Sequence, residues 1–442
     1  MLIYPPHTEE IVLGYPPDYT IKARSDLPPL GILYLSSYLK KRHEVRVIDM
    51  SAMHMEPEAI TLAIDDFKPE LVGISSIITY WMSILKVAQS IKRYAPRIPI
   101  VLGGPNPTFY PAETLSHQEI DYVICGCGHL PLIELCDHLE SGKNTTGIKR
   151  CYGQESVASG INPEHEADSL DSFPLPDRLA TPIDFYNVPF CPDNPTTSML
   201  SSQGCCFRCA FCNCRNKKPV LIRLPEKVID EMSEVEKTGI RSVMFQDDLF
   251  TIDAKRVREL CEGIIKRRIK LHWTVKSRVD CLEEWMPSLM KEAGCFNVHF
   301  GIESGNDKTL ERMKKGITVE QARKAVSLVK KAGLSCTGNF MLGYPGEDEG
   351  DIRNTISFAA ELGLNLSQFS ITMDMPGTEL YQDAINAGKY NGKDLYREFV
   401  LDPENNDIAR LFSSDHFNEE EMFSFLREAY SKTRTLYNLK GR

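Results

Sequence analysis

Through residues 1–140, short apolar runs alternate with amphipathic stretches of helical period. Runs at 1–4, 45–49, 71–75, 98–103 and 121–125 read as strands, being short, apolar and bounded by turn signals. Apolar spacings of three and four predict helices at 30–41, 57–66, 82–94 and 130–140. Such alternation buries a parallel sheet between helices, so residues 1–140 predict a flavodoxin-like doubly wound domain with its ligand at the carboxyl ends of the strands. Residues 141–195 lose the period and fill with Pro, Ser, Asn and Asp, which predicts a linker that wraps rather than folds. The alternation then resumes. Strands predicted at 197–201, 242–246, 271–275, 297–301, 336–342 and 368–373 give six strand–helix units over 196–387, too few for an eight-unit barrel and suited to a partial one, open on one side. Residues 388–442 predict a C-terminal helical extension, a polar loop and then a helix at 419–437. The fold class is α/β throughout, a Rossmann-type domain followed by a partial (β/α)6 barrel.

Composition narrows the functions open to this fold. At 442 residues the chain is too long for one ordinary core. Its 42% apolar and 25% charged residues are those of a globular protein. No apolar run approaches the roughly 20 residues of a membrane span. The start, Met1-Leu2-Ile3-Tyr4-Pro5-Pro6, lacks a basic n-region and a cleavage site, so a cytoplasmic location is expected. A net charge of −10 argues against nucleic acid as a partner, since phosphate binding needs clustered Lys and Arg. The short basic run Arg215-Asn216-Lys217-Lys218 reads as a local anion contact or a solvated loop. Fourteen cysteines stay reduced in a cytosolic protein, and a tight group of them then points to metal.

That group is Gly204-Cys205-Cys206-Phe207-Arg208-Cys209-Ala210-Phe211-Cys212, a Cys-x3-Cys-x2-Cys run just after an apolar strand. Three thiolates on one tight loop can hold three irons of a cubane and leave the fourth open to a chelating molecule. A zinc site would want four ligands in paired spacings. Cys214 could supply a fourth thiolate, but it stands too close to the others to complete a tetrahedron comfortably.

With its aromatic Phe211 before the last cysteine, the run Cys205, Cys209, Cys212 resembles the signature of the radical S-adenosylmethionine (SAM) superfamily. The resemblance implies a [4Fe–4S] cluster whose open iron chelates the amino and carboxylate groups of SAM. One electron then cleaves SAM to methionine and a 5′-deoxyadenosyl radical. Further motifs fall at later strand ends, where a barrel places its chemistry. Asp247 and Asp248 resemble the site for the SAM amino group. Arg278 resembles a basic residue that meets the SAM carboxylate or the substrate. Glu303 and Ser304 match positions around the methionyl and ribose groups. Gly343-Tyr344-Pro345-Gly346-Glu347 resembles the loop that cradles adenine. Cys206 and Cys214 lie outside the motif and are expected to be packing residues or bystanders.

In the first domain, hydroxyls and bare glycines at strand ends let a polar ligand lie against the backbone. Tight strand–helix turns would use the same residues. Ser75, Thr79, Gly103, Gly104 and Asp49 match positions in the cobalamin-binding domains fused to some radical SAM barrels, where such stretches line the slot for the nucleotide tail. Two departures stand out. Of the loop that offers a histidine to cobalt in that family, only His7 is kept. At Gly126-Cys127-Gly128-His129, where similar proteins carry Gly-Glu-Gly-Glu, both acids are replaced. Cys127 and His129 are expected to be a small thiol and a helix-start histidine.

The combined resemblance implies a cobalamin-dependent radical SAM enzyme of the class B methylase type. Such an enzyme would transfer a methyl group through methylcobalamin to an unactivated carbon of a small-molecule or lipid substrate, with a flavodoxin- or ferredoxin-type electron donor. The same architecture also serves oxidative cyclisation, rearrangement or carbon–carbon coupling without net methylation. A third reading keeps the barrel chemistry with a first domain that no longer binds cobalamin. The aromatic residues Tyr80, Trp81, Tyr110 and Trp273 face either the substrate or the core.

Overall fold

A computed structural model describes residues 1–6, 27–156, 169–216, 220–404 and 413–433, without the side chains of 215 and 216. The described residues fall into two compact units. One comprises 1–6, 28–185 and 390–404, and the other 27, 186–389 and 413–433, less the undescribed stretches.

The first unit is built on β1 (Leu2–Tyr4), β2 (Val47–Asp49), β3 (Val72–Ser75), β4 (Ile100–Gly103), β5 (Tyr122–Ile124) and β6 (Cys151–Gly153). Their order is β2-β1-β3-β4-β5-β6. The first five pair in parallel, in the flavodoxin-like order 2-1-3-4-5. Helices α1 (Leu30–Leu39), α2 (Ile60–Phe67), α3 (Trp81–Tyr94), α4 (Pro105–Phe109), α5 (Pro111–Leu115) and α6 (His129–Ser141) connect them. On one face α1 and α6 share a core of Leu2, Leu33, Val101, Ile124 and Leu135. Elsewhere α2 packs on α3, burying Ile60, Ile64, Ile84 and Ile91. A parallel sheet covered in this way explains why its strands read as unbroken apolar runs.

Two stretches depart from the sequence expectation. The segment 141–195 is not only a wrapping linker, because β6 within it pairs antiparallel with β5. Three residues are too few for a hydrophobic period to declare a strand, and the edge of β5 supplies the pairing. The segment 388–442 is divided between the units. Its helix Leu395–Leu401 packs on the first, where Arg397 pairs with Glu113 at 2.6 Å and Trp81 Nε1 donates to the Val400 carbonyl at 3.1 Å. The helix Glu419–Thr433 packs on the strand Leu366–Ile371 and on the helix Glu349–Leu362 of the second. Residues 434–437 of the expected helix lie outside the described residues.

The second unit contains β7 (Thr196–Met199), β8 (Ser202–Gln203), β9 (Leu221–Ile222), β10 (Ser242–Phe245), β11 (His272–Ser277), β12 (Cys295–Glu303), β13 (Ser335–Leu342) and β14 (Leu366–Ile371). Six of these form one sheet in the order β14-β13-β12-β11-β10-β7, parallel throughout. This is the expected partial barrel of six strands. The helices α7 (Pro225–Lys237), α8 (Ala254–Arg267), α9 (Met286–Glu292), α10 (Asp307–Arg312), α11 (Val319–Lys331), α12 (Glu349–Leu362) and α13 (Glu379–Asn386) follow the strands. Caps start several of them close behind a strand end. Asp253 accepts from Arg256 N, Asn306 from Lys308 N and Thr378 from Tyr381 N, while Thr318 with Gln321 and Asp348 with Asp351 form capping boxes. Each cap is worth about 1 kcal/mol and fixes where a loop ends. The loops at the strand carboxyl ends therefore hold defined positions.

Candidate active site

The cysteine loop is pinned at its base and along its length. At the base, β8 and β9 pair antiparallel, Ser202 opposite Ile222 and Gln203 opposite Leu221. Ala210 N donates to the Met313 carbonyl, and Leu380 N donates to the Ala210 carbonyl. Phe211 packs on Met313, Tyr344 and Leu380. The loop is thereby tied to residues that follow β12, β13 and β14.

Cys205, Cys209 and Cys212 lie near enough for each to feel its neighbours' charge. Burial pushes the Cys205 and Cys209 thiols up. At Cys209 the Lys315 ammonium and the Arg278 guanidinium oppose that shift. Cys212 goes the other way. A hydrogen bond from the Cys214 thiol, with help from its backbone, brings Cys212 down to about 6 despite burial. The single Cys214 S–H has a second acceptor, Asp248 Oδ1 at 3.0 Å, and serves one of the two at a time. Cys214 is thus a working part of the loop rather than a bystander, whereas Cys206 is exposed.

Among the described residues, no three His, Cys, Asp or Glu side chains converge to hold a single metal ion. A cubane asks for something different, one thiolate for each of three irons. Three neighbouring cysteines, one already inclined to the thiolate and two cations beside Cys209, are a donor set that fits such a cluster.

Arg278 and Lys315 form the wall beside Cys209. Arg278 Nη1 is 3.8 Å from Cys209 Sγ, and its guanidinium carbon lies 3.5 Å from the centre of the Phe207 ring. The rest of the group is held by Asp280, at 3.0 and 2.9 Å, and by the Lys315 carbonyl at 2.7 Å. Lys315 Nζ meets Glu303 Oε1 at 2.9 Å, and both side chains are buried. Glu303 reaches this position through a register shift at the end of β12 and a left-handed backbone, φ 70°. That conformation is uncommon for a non-glycine residue and is concentrated at functional sites. Sequence reading missed Lys315, whose place in a short polar loop between two helices signals nothing until the chain folds.

The other positions expected around SAM have partners within the fold. Asp247 is fully buried and accepts from Ser201 N, Ser201 Oγ and Ser202 Oγ at 2.7, 2.5 and 2.6 Å, with Arg256 3.6 Å away. Asp248 accepts from Gly204 N at 2.8 Å as well as from Cys214. The acidic pair therefore anchors the two ends of the approach to the cysteine loop. Ser304 is buried, with its hydroxyl 3.1 Å from Thr355 Oγ1. Gly343 has φ 77°, and its N–H and that of Tyr344 donate to Glu347 Oε2 at 3.0 and 2.9 Å. Burial raises the Glu347 carboxyl to about 7.

In the first unit, Ser75 ends β3 directly opposite Gly103, which ends β4. A side chain at Gly103 would meet nothing within 4 Å, so the backbone there lies open to a ligand. Gly104, at φ 108°, is packed so closely that a Cβ would come within 2.7 Å of the Ser76 carbonyl. Asn106 follows, buried, with an unpaired Oδ1. Gly126 N donates to Thr108 Oγ1 at 2.9 Å. Thr79 lies on the short turn after β3, and Gly128 leads into α6. Asp49 is buried at the end of β2 and accepts from Ala52 N at 3.0 Å. Hydroxyls, an open glycine and an orphaned amide oxygen at three adjacent strand ends suit the hydrogen-bonding ribose and phosphate of a corrinoid's nucleotide tail. Cys127 Sγ and His129 Nδ1 are 3.2 Å apart, and the imidazole stacks on Tyr38. His7 lies outside the described residues. Trp81, Tyr110 and Trp273 are buried; Trp273 Nε1 donates to the Ala293 carbonyl at 2.7 Å, so it serves the core.

An open parallel barrel with a three-cysteine loop at its strand ends, in a chain with a flavodoxin-like domain, defines the class of radical SAM enzymes. The Radical SAM superfamily model matches residues 199–359, and the B12 binding domain model matches residues 17–135. A protein of Pyrococcus horikoshii described as an uncharacterized methyltransferase is 33% identical over 411 residues, 91% of this chain and 87% of its own. The anaerobic magnesium-protoporphyrin IX monomethyl ester cyclase of Rubrivivax gelatinosus is 26% identical over 370 residues, 80% of this chain and 66% of that protein. Among solved structures, the radical SAM methyltransferase TsrM from Kitasatospora setae, with cobalamin and a [4Fe–4S] cluster bound, has a TM-score of 0.70 at 19% identity. The match covers 87% of this chain and 77% of that one, and the two share the fold. The chain belongs to the cobalamin-binding-domain radical SAM enzymes, the class B methylase-like family. Its cofactors are accordingly a [4Fe–4S] cluster, SAM and cobalamin.

Proposed function

We propose that this protein is a cobalamin-dependent C-methyltransferase acting on a small molecule, with Cys205, Cys209 and Cys212 as its cluster ligands. The cluster supplies the electron that cleaves SAM to a 5′-deoxyadenosyl radical, and cobalamin supplies the methyl group for the substrate carbon. The chain's own residues bind and orient. Asp248 and Cys214 hold the loop, and Arg278 and Lys315 place positive charge beside Cys209. Glu303, Ser304 and the Gly343–Glu347 loop flank the SAM site, while Asp247 fixes the strand end beneath it. In the first unit Ser75, Thr79, Gly103, Gly104, Gly126 and Gly128 would lie along the cobalamin tail, with Asp49 at the neighbouring strand end.

The observation that carries this reading is the pairing of the cationic wall with Cys209 on a loop that holds two further thiols. A low-potential flavodoxin or ferredoxin is the fitting electron donor. An oxygen-sensitive cluster suits a reducing cytoplasm, and no helix among the described residues is long and apolar enough to cross a membrane.

Anaerobic purification and reconstitution test the proposal. Iron near four per chain, a retained corrinoid spectrum, 5′-deoxyadenosine and label passing from methyl-labelled SAM into product are expected. Deoxyadenosine without label transfer would favour the second reading, cyclisation or rearrangement, which the cyclase relative supports. Deoxyadenosine without a corrinoid would remove cobalamin from the mechanism.

A further inference from the structure

Along β12, Val298, Phe300 and Ile302 are fully buried, while Asn297, His299, Gly301 and Glu303 share the opposite face. The lowest layer of that face is closed on itself. Asn297 Nδ2 donates to Thr274 Oγ1, and Thr337 Oγ1 donates to Asn297 Oδ1, both at 3.3 Å. At the strand end Glu303 turns back to Lys315 above Gly301.

Between these two closed layers, hydrogen-bonding capacity is left over. His299 Nε2 and Asn339 Oδ1 are buried and have no partner. Asn339 stands opposite Gly301 and His299 opposite Thr337, so the two side chains leave one face of neighbouring strands on a diagonal, with Cα atoms roughly 8 Å apart. Lys276, exposed, stands opposite His299 on β11. The Phe190 ring meets the imidazole edge-on at 5.7 Å. Burial, with Lys276 adding to it, holds His299 down to about 4, so the ring is neutral and offers one donor and one acceptor. A folded chain rarely leaves two buried polar atoms unpaired on one face unless something else pairs them.

We infer that His299 and Asn339 form a substrate subsite in the barrel lumen that takes a group with an N–H donor and a carbonyl or ring acceptor on separate atoms, an amide or a lactam-like ring edge, which a lone hydroxyl does not match. The substrate is then a polar small molecule rather than a hydrocarbon lipid. The inference rests on the methyltransferase reading above. SAM carries amide-like edges of its own, and the test separates the two sources.

The reconstituted holoenzyme is treated with diethylpyrocarbonate, and modification of His299 is followed by peptide mass mapping. Four arms are compared: no addition, SAM, N-methylacetamide and cyclohexanol. N-methylacetamide is expected to slow modification several-fold, with SAM and cyclohexanol leaving the rate unchanged. Asn339→Leu, its iron content and optical spectrum checked, is expected to abolish the amide protection. Should that variant misfold, the wild-type arms still decide. Protection by SAM alone would give the subsite to SAM, and equal protection by cyclohexanol would mark an apolar lumen. An unmodified His299 in every arm would show that nothing reaches the ring. Any of the three overturns the inference. Failure of the methyltransferase reading is seen separately, as a missing corrinoid or absent label transfer.

Discussion

Glu303 and Lys315 meet at 2.9 Å in a buried ion pair, and Gly301 is the residue that leaves room for it. A Cβ on residue 301 would stand 2.5 Å from Glu303 Oε1 and 3.0 Å from Lys315 Nζ. Separating the pair strands two charges beside the cysteine loop. Gly301→Ala is expected to cost about 3 kcal/mol in urea unfolding of the apo-protein. A loss under about 1 kcal/mol would mean that the carboxylate swings aside and the pair is not held.

The cysteines of the loop should separate into two groups by iron content. Cys205→Ala, Cys209→Ala or Cys212→Ala is expected to abolish cluster assembly, and Cys206→Ala to leave it intact. Asp248→Ala removes the acceptor of Gly204 N and is expected to weaken iron retention by about tenfold or more, as the loss of a partner that orients metal ligands does. Iron assays after anaerobic reconstitution check all five.

Cys214 should govern the reactivity of Cys212 in the apo-protein. With its pKa drawn down to about 6, Cys212 is mostly thiolate at pH 7. Cys214→Ala removes the donor and raises that pKa, so iodoacetamide labelling of Cys212 at pH 7 slows. Unchanged labelling would assign the low value to another cause.

Glu347 links stability to pH. Its folded pKa of about 7 lies above the ordinary 4.5, so the unfolded chain loses this proton first as pH rises. Stability from this group is full below about pH 4.5 and is lost as pH rises through 7, a change on the order of 3 kcal/mol. Glu347→Gln is expected to flatten that slope in urea titrations of the apo-protein between pH 5 and 8. A slope as steep as in the wild type would move the titration to another group.

Gly104 is the sharpest test of the first unit. Its φ of 108° and the 2.7 Å approach to the Ser76 carbonyl leave no place for a methyl group. Gly104→Ala is expected to lower the corrinoid content of the anaerobically purified protein while iron content stays unchanged, read from the optical spectrum and an iron assay.

Periodicity in the sequence was enough to foretell the eleven principal strands of the two sheets and the helices α1, α2, α3 and α6 of the first unit, though not the short helices α4 and α5. Buried parallel strands must be apolar along their whole length, and the helices that cover them must be apolar on one face. The cysteine spacing likewise points to a cluster, since three thiolates within eight residues have few other uses. Pairings made by only a few residues were beyond it. The strand β6 exists because β5 offers an edge, and the helix Leu395–Leu401 leaves the expected extension because Glu113 and Trp81 give its residues partners in the first unit.

Only folding decided which polar residues meet. Asp247 and Asp248 look like a ligand pair in sequence, and the fold adds what they hold, namely Ser201, Ser202, Gly204 and Cys214. Lys315 gave no signal and Cys214 read only as a spare thiol, because charge and hydrogen bonding act across a few ångströms of space that the order of residues does not reveal. The unpaired atoms of His299 and Asn339 were equally hidden, since an atom lacks a partner only once its neighbours are fixed. Local pattern therefore determined the layers and the cluster loop, and strand register determined the chemistry that surrounds it.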